Sequence, residues 1–169
     1  MAKYKLHLLL FLLTWLCNGQ TTVSGNTTKI TGKVISITDG DTFKLLLNDS
    51  TVQRIRIANI DCPEKKQPYS QRAKQFTSNA IFGKKVNVEV LNIDRYGRLI
   101  GIVVYDNAFN LNHELVKQGL AWHYVKYSND TTLQRLEDNA KMTKLGLWQD
   151  PNAIPPWDWR NQKRKKVKQ

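Results

Sequence analysis

Three short stretches hold the residues that could handle a phosphate or a hard metal ion: Asp39-Gly40-Asp41, Asp61-Cys62-Pro63-Glu64 and Asp94-Arg95-Tyr96-Gly97-Arg98. Taken singly, each is a turn, because Asp and Gly favour reversals and Pro63 ends a strand. Arg54 and Arg56 alternate with Ile55 and Ile57, so the two arginines share one strand face. Alone, they would be a solvated face. Their combination says more. If a closed sheet gathers these strand ends, Asp41, Asp61 and Glu64 converge, with Arg56 and Arg98 beside them. Carboxylates held that close repel one another unless a cation sits among them. Carboxylate oxygens and a backbone carbonyl are hard donors suited to Ca²⁺. Zinc has no comparable set: beyond residue 19 the soft or nitrogen ligands are His113, His123 and Cys62, at no ligand-like spacing. Arginines beside the metal would bind a phosphate that bridges to it.

The surrounding pattern predicts the elements that must do this gathering. Strands are expected over 33–37, 43–47 and 52–60, joined by turns at Thr38–Asp41 and Asn48–Ser50. A helix follows from Pro68 to Phe82, with Ala73, Phe76 and Ala80 at helical spacing and Gly83 as its stop. Val86, Val88 and Val90 share a strand face, and Leu99–Tyr105 is a nearly continuous apolar strand. Asp94–Arg98 is the tight connection between those two. Helices over Leu111–Gln118 and from about Asp130 to Gly146 close the domain. Thr131 and Gln134 stand at capping-box spacing, and Leu133, Leu136 and Ala140 form a buried stripe. Five strands with a helix between the third and fourth is the order of an OB-fold barrel, here with three α-helices.

The chain has 169 residues and a formal net charge of +12. Residues 1–19 have the order of a secretory signal peptide: Lys3 and Lys5, the run LHLLLFLLTWL, then Cys17-Asn18-Gly19. An uncleaved anchor is the alternative, although a span takes about 20 apolar residues. Removing 1–19 takes away two lysines and no acid, so the remainder stays strongly basic and keeps one cysteine, Cys62. Export to the periplasm or the medium is expected, with no membrane partner after cleavage. Residues 20–30 are expected to be a flexible leader, 31–150 the folded domain, and 151–169 a Trp/Pro segment with a disordered basic tail. The charge calls for an anionic partner: nucleic acid, an acidic polysaccharide or a membrane surface.

The pieces ITDGDTFKL, RIRIANIDCPE, YSQRAKQF, DRYGR, LNHELVKQGLAW and KLGLW, in this order over roughly 70% of the chain, closely resemble the staphylococcal nuclease (thermonuclease, or micrococcal nuclease) family. The resemblance implies an OB-fold, calcium-dependent endonuclease. Such an enzyme hydrolyses phosphodiester bonds of DNA and RNA and leaves 3′-phosphate and 5′-hydroxyl ends. Carried onto this sequence, Asp41, Asp61 and the backbone carbonyl of Cys62 would hold one Ca²⁺. Glu64 would orient or activate water, and Arg56 and Arg98 would stabilise the phosphate. Tyr96, Tyr124 and Tyr127 lie where aromatic rings could stack on a nucleotide, with plain packing the alternative for the last two. The substrate would be single-stranded or locally open, and the protein a monomer.

Two positions depart from that pattern. Cys62 stands where the family usually has Thr, which is tolerable if the carbonyl alone binds metal; a buried, inert thiol is expected, with a thiol sensitive to oxidation or soft metals the alternative. Asn59 is polar on a face expected to point inward. Trp122, Trp148, Trp157 and Trp159 are read as packing residues. A binding module of the same fold that holds nucleic acid without cutting it is the second reading. A heparin- or membrane-binding basic protein is the third, and it leaves the gathered acids unexplained.

Overall fold

The structure, a computed structural model, describes residues 28–167. The signal peptide and most of the leader expected from the sequence lie outside the described residues. Strands β1 (Thr28–Asp39), β2 (Thr42–Leu47), β3 (Val52–Ile57), β5 (Lys85–Ile93) and β6 (Leu99–Tyr105) form a sheet in the order β3-β2-β1-β5-β6. Parallel pairing of Ile55–Ile57 with Leu99–Gly101 joins its two edges, so the five strands close as an OB-fold barrel. Closure needs a strand that bends. β1 supplies it, with register shifts at Val34/Ser36 and Ile37/Asp39 where it pairs with β2. β1 starts at Thr28, so the last residues expected to be leader are strand.

Alternation along the strands fills the barrel. Val34, Phe43, Leu45, Ile55, Ile57, Val86, Val88 and Val103 are buried there. The third strand does not run on to residue 60. It ends at Ile57, and Asn59 takes a left-handed conformation (φ 64°) that an Asn side chain tolerates. That reversal frees Ile60–Asp61 to form β4, which pairs with β8 (Trp122–His123) outside the barrel. The Asn59 carbonyl accepts the Tyr124 N–H at 2.9 Å. The polar residue out of place in the pattern therefore marks the corner that aims Asp61. Buried Asn112 fixes the same corner, with its Nδ2 donating to the Ala58 carbonyl at 2.7 Å and its Oδ1 accepting the Val103 N–H at 3.1 Å.

Helix α1 (Ser70–Ile81) buries Ala73, Thr77 and Ile81, one turn apart. Phe76 and Ala80 flank that stripe, partly buried. α2 (Leu111–Lys117), preceded by the two-residue strand β7 (Phe109–Asn110), and α3 (Thr131–Met142) complete the cap of the barrel. The N-cap of α3 is Asp130, which accepts from the Thr132 and Leu133 N–H groups, in place of the expected Thr131/Gln134 box. Its buried positions are Leu133, Glu137 and Ala140.

The largest difference from expectation lies past residue 150. A fourth α-helix, α4 (Pro156–Val167), occupies the stretch expected to be a disordered tail. Pro156 opens it, where a missing N–H and a fixed φ suit the first helical turn.

Candidate active site

The β1–β2 turn, the β4 corner and α1 meet at Gly40. A Cβ there would lie 2.8 Å from the Ala73 Cβ and 2.9 Å from the Cys62 Cβ and Sγ, so no side chain fits. The Gly40 carbonyl accepts the Thr77 hydroxyl at 2.6 Å, which ties the turn to the helix. Asp41 Oδ2 accepts the Cys62 N–H at 2.8 Å, which ties it to the corner. Two of the three acidic stretches are thereby locked together.

Arg56 reaches into that junction from β3. One terminal nitrogen pairs with Asp41 Oδ1, and the other donates to Asp61 Oδ1 at 2.6 Å. Asp41 and Asp61 are buried, at 3% and 1% exposure. Burial raises the Asp41 carboxyl pKa, but the Arg56 charge and the Cys62 N–H outweigh it and hold it below the usual range. For Asp61, burial wins against Arg160 and Arg56, and its pKa stays raised. Burial works against the charge of Arg56 as well, but Asp41 and Asp61 hold its pKa above the usual arginine value. Asp39, across the turn, is pushed up to about 7, by burial first and then by the Asp41 charge. Its Oδ1 is buried without a hydrogen-bond partner.

Arg98 is placed differently. Asp94 caps the β5–β6 connection, with its Oδ1 accepting the Tyr96 and Arg98 N–H groups at 2.9 and 3.0 Å. Its Oδ2 accepts Arg98 Nε at 2.7 Å and pairs with Nη2 at the same distance. Burial raises the Asp94 pKa, but these bonds more than offset it and leave it lowered. Ile100 is the β6 partner of Arg56, and Arg98 lies two residues ahead of it, on the same side of the sheet. The two arginines thus share a face, but Asp94 keeps the Arg98 guanidinium out of the Asp41–Arg56–Asp61 network.

Glu64 does join the network, through a residue that the sequence reading left in the tail. Arg160 of α4 donates to Glu64 Oε1 at 2.5 Å, to Asp61 Oδ2 at 2.8 Å and to Asp61 Oδ1 at 3.3 Å. Three carboxylates (Asp41, Asp61 and Glu64) thus meet two guanidiniums, with Asp39 close to Asp41. The surplus negative charge, the all-oxygen donor set and the orphaned Asp39 oxygen fit a hard cation such as Ca²⁺ in type and charge. Among the described residues no three Asp, Glu, His or Cys side chains are already gathered as a metal shell. Asp41, Asp61 and Glu64 turn toward the arginines instead. The Cys62 thiol is buried, and burial followed by the nearby carboxylates pushes its pKa well up, so it stays a protonated, inert thiol.

A sequence model of the family described as "Staphylococcal nuclease homologue" matches residues 54–150. The chain belongs to that family. An uncharacterised endonuclease of Escherichia coli is 38% identical over 165 residues, covering 96% of this chain and 100% of that protein. A micrococcal nuclease of Shigella flexneri is 40% identical over 139 residues, covering 76% and 79%. A staphylococcal-like nuclease of Arabidopsis thaliana is 40% identical over 111 residues, covering 66% of this chain and 34% of that protein. The family match takes in Arg56, Asp61, Glu64 and Arg98. It begins after Asp41 and ends before Arg160.

The three tyrosines of this family member differ in setting. Tyr96 is 60% exposed, with the Arg95 and Arg98 guanidiniums over its ring at 4.8 and 5.7 Å. Tyr124 stacks on Trp157 of α4, with ring centroids 5.0 Å apart and planes 9° apart, and Tyr127 meets it edge-on at 4.8 Å. Arg160, Gln67 and Asp39 are the members of the site that the sequence reading did not single out. For Arg160 the available signal was WDWR, where Trp157 and Arg160 stand at i, i+3 and so share a helix face.

Proposed function

We propose that this protein is an exported, calcium-dependent endonuclease that hydrolyses phosphodiester bonds of DNA and RNA to 3′-phosphate ends. The observation that carries this reading is the buried Asp41–Arg56–Asp61 network beside Glu64. Relatives named as nucleases support it. Asp41, Asp61 and the Cys62 carbonyl are the groups that would hold the ion. The ion would supply positive charge against the phosphate oxygens.

The chain's own residues do the remaining work. Arg56 has N–H groups left over from Asp41 and Asp61, and these bind a phosphate oxygen from the β3 side. Arg98 presents its guanidinium from the same face of the barrel, with Asp94 fixing its orientation. Charge on the phosphate grows as the attacking oxygen approaches, and two fixed guanidiniums bind that state better than the substrate. Glu64 orients or activates the attacking water. Tyr96 and Tyr127, both exposed, offer rings to unstacked bases, while Tyr124 is already stacked on Trp157; this favours single-stranded or locally open substrate without choosing a sequence.

The ends of the products test this reading. Fragments from a single-stranded oligonucleotide should carry 5′-hydroxyls that a polynucleotide kinase labels without prior dephosphorylation. Fragments with 5′-phosphates would contradict the assignment of the broken bond. Tight binding with no fragments under any divalent metal would leave the non-catalytic binding module.

A further inference from the structure

The turn that carries Glu64 is held from the far end of the chain. Gln67 is 5% exposed, and its Oε1 accepts the Glu64 N–H at 2.9 Å while its Nε2 donates to the Ile154 carbonyl at 2.6 Å. Only one orientation of the amide satisfies both bonds. Arg160 then takes the Glu64 carboxylate itself, at 2.5 Å, and among the described residues it is the side chain that does so. Trp157, one turn earlier on α4, is stacked on Tyr124, and the Tyr124 N–H bonds the Asn59 corner. The start of α4 is therefore anchored beside the same corner that aims Asp61.

We propose that Arg160 is a positioning residue of the active site, holding the Glu64 carboxylate at a fixed distance from Asp61. The inference rests on the reading of Glu64 as the residue that handles water. Bare, these two carboxylates would repel and Glu64 would swing into solvent. Arg160 bridges them through a planar fork, taking Asp61 by both oxygens and Glu64 by Oε1. Among the described residues the Arg160 contact falls on Oε1 and no hydrogen bond falls on Oε2 of Glu64, the oxygen that would take a water. A lysine has the charge but not the fork, so it should restore the function only in part.

The test uses the full chain with Arg160→Gln, Arg160→Lys, Glu64→Gln and the Arg160→Gln/Glu64→Gln double variant. kcat of Arg160→Gln should fall about 10- to 100-fold, the range typical of residues that orient an active-site group, with KM within about threefold. Arg160→Lys should recover part of that loss. In the Glu64→Gln background, the same substitution should cost less than about twofold, because the group it positions is gone. Without metal, backbone amide exchange across residues 60–68 should be faster in Arg160→Gln than in the parent.

A wild-type kcat in Arg160→Gln would overturn the proposal, and a raised kcat would make α4 a lid. An undiminished loss in the Glu64→Gln background would also overturn it, by placing the action of Arg160 elsewhere. Should Glu64→Gln itself keep full activity, the reading of Glu64 fails and takes the role of Arg160 with it. Should Glu64→Gln be inactive and Arg160→Gln unaffected, only the role of Arg160 fails.

Discussion

Asp41 accepts the Cys62 backbone N–H at 2.8 Å, bonding residues 21 positions apart, while its other oxygen pairs with Arg56. One carboxylate thus locks the expected metal corner and orients the expected phosphate-binding arginine. Asp41→Ala removes both partners at once and leaves a buried N–H and a half-paired guanidinium. It should lower stability by about 3 kcal/mol and remove activity. Chemical denaturation measures the first effect. An unchanged midpoint would mean that water replaces the carboxylate.

Gly40 should tolerate no side chain. A Cβ would press on Ala73 and Cys62, whose Cβ atoms belong to a rigid helix and a rigid corner. Gly40→Ala should cost about 1–3 kcal/mol and reduce turnover by displacing Asp41. Thermal unfolding and a cleavage assay report the two effects separately.

Asp39 makes the metal-free protein sensitive to pH. Its folded-state pKa of about 7 stands above the ordinary 3.8, so between those values the folded chain holds a proton that the unfolded chain releases. The stabilisation is complete below about 4 and is lost as pH rises through 7. In chelator, denaturation midpoints should decline over that window, and Asp39→Asn should flatten the decline. Equal slopes for the two proteins would show that other groups set the pH dependence.

Arg98 should not be replaceable by lysine. Asp94 binds it through Nε and Nη2, which only a guanidinium provides. Arg98→Lys should fold normally and lose about 100- to 1000-fold in kcat/KM. A loss of less than tenfold would reduce its role to charge alone.

Much of this architecture was legible because the patterns were local. Alternation in Arg54–Ile57 and in Val86–Val90 marked barrel strands, and Gly40 and Pro63 marked the corners. The family match agrees with the resemblance carried by RIRIANIDCPE and DRYGR. What the pattern hid was long-range. Asn59 looked like a polar residue facing the core because alternation was extended through it. A left-handed residue ends that alternation, and only the pairing of β4 with β8 explains why. Arg160 sat in a run of Asn, Gln, Lys and Arg whose composition reads as solvated. Composition cannot register that Trp157 has Tyr124 to stack on, or that Asp61 and Glu64 need a counter-charge. A basic helix with little apolar content is held by a few specific contacts, and those depend on residues 33 to 99 positions away.

Cleavage of single-stranded DNA, first with calcium and then with a calcium chelator, with Glu64→Ser and Arg98→Ala alongside the parent, is the most direct test. Calcium-dependent cutting that each substitution nearly abolishes, while all three proteins retain the fold, is the predicted result. Cutting that persists in the chelator, or survives in Glu64→Ser, would contradict the account.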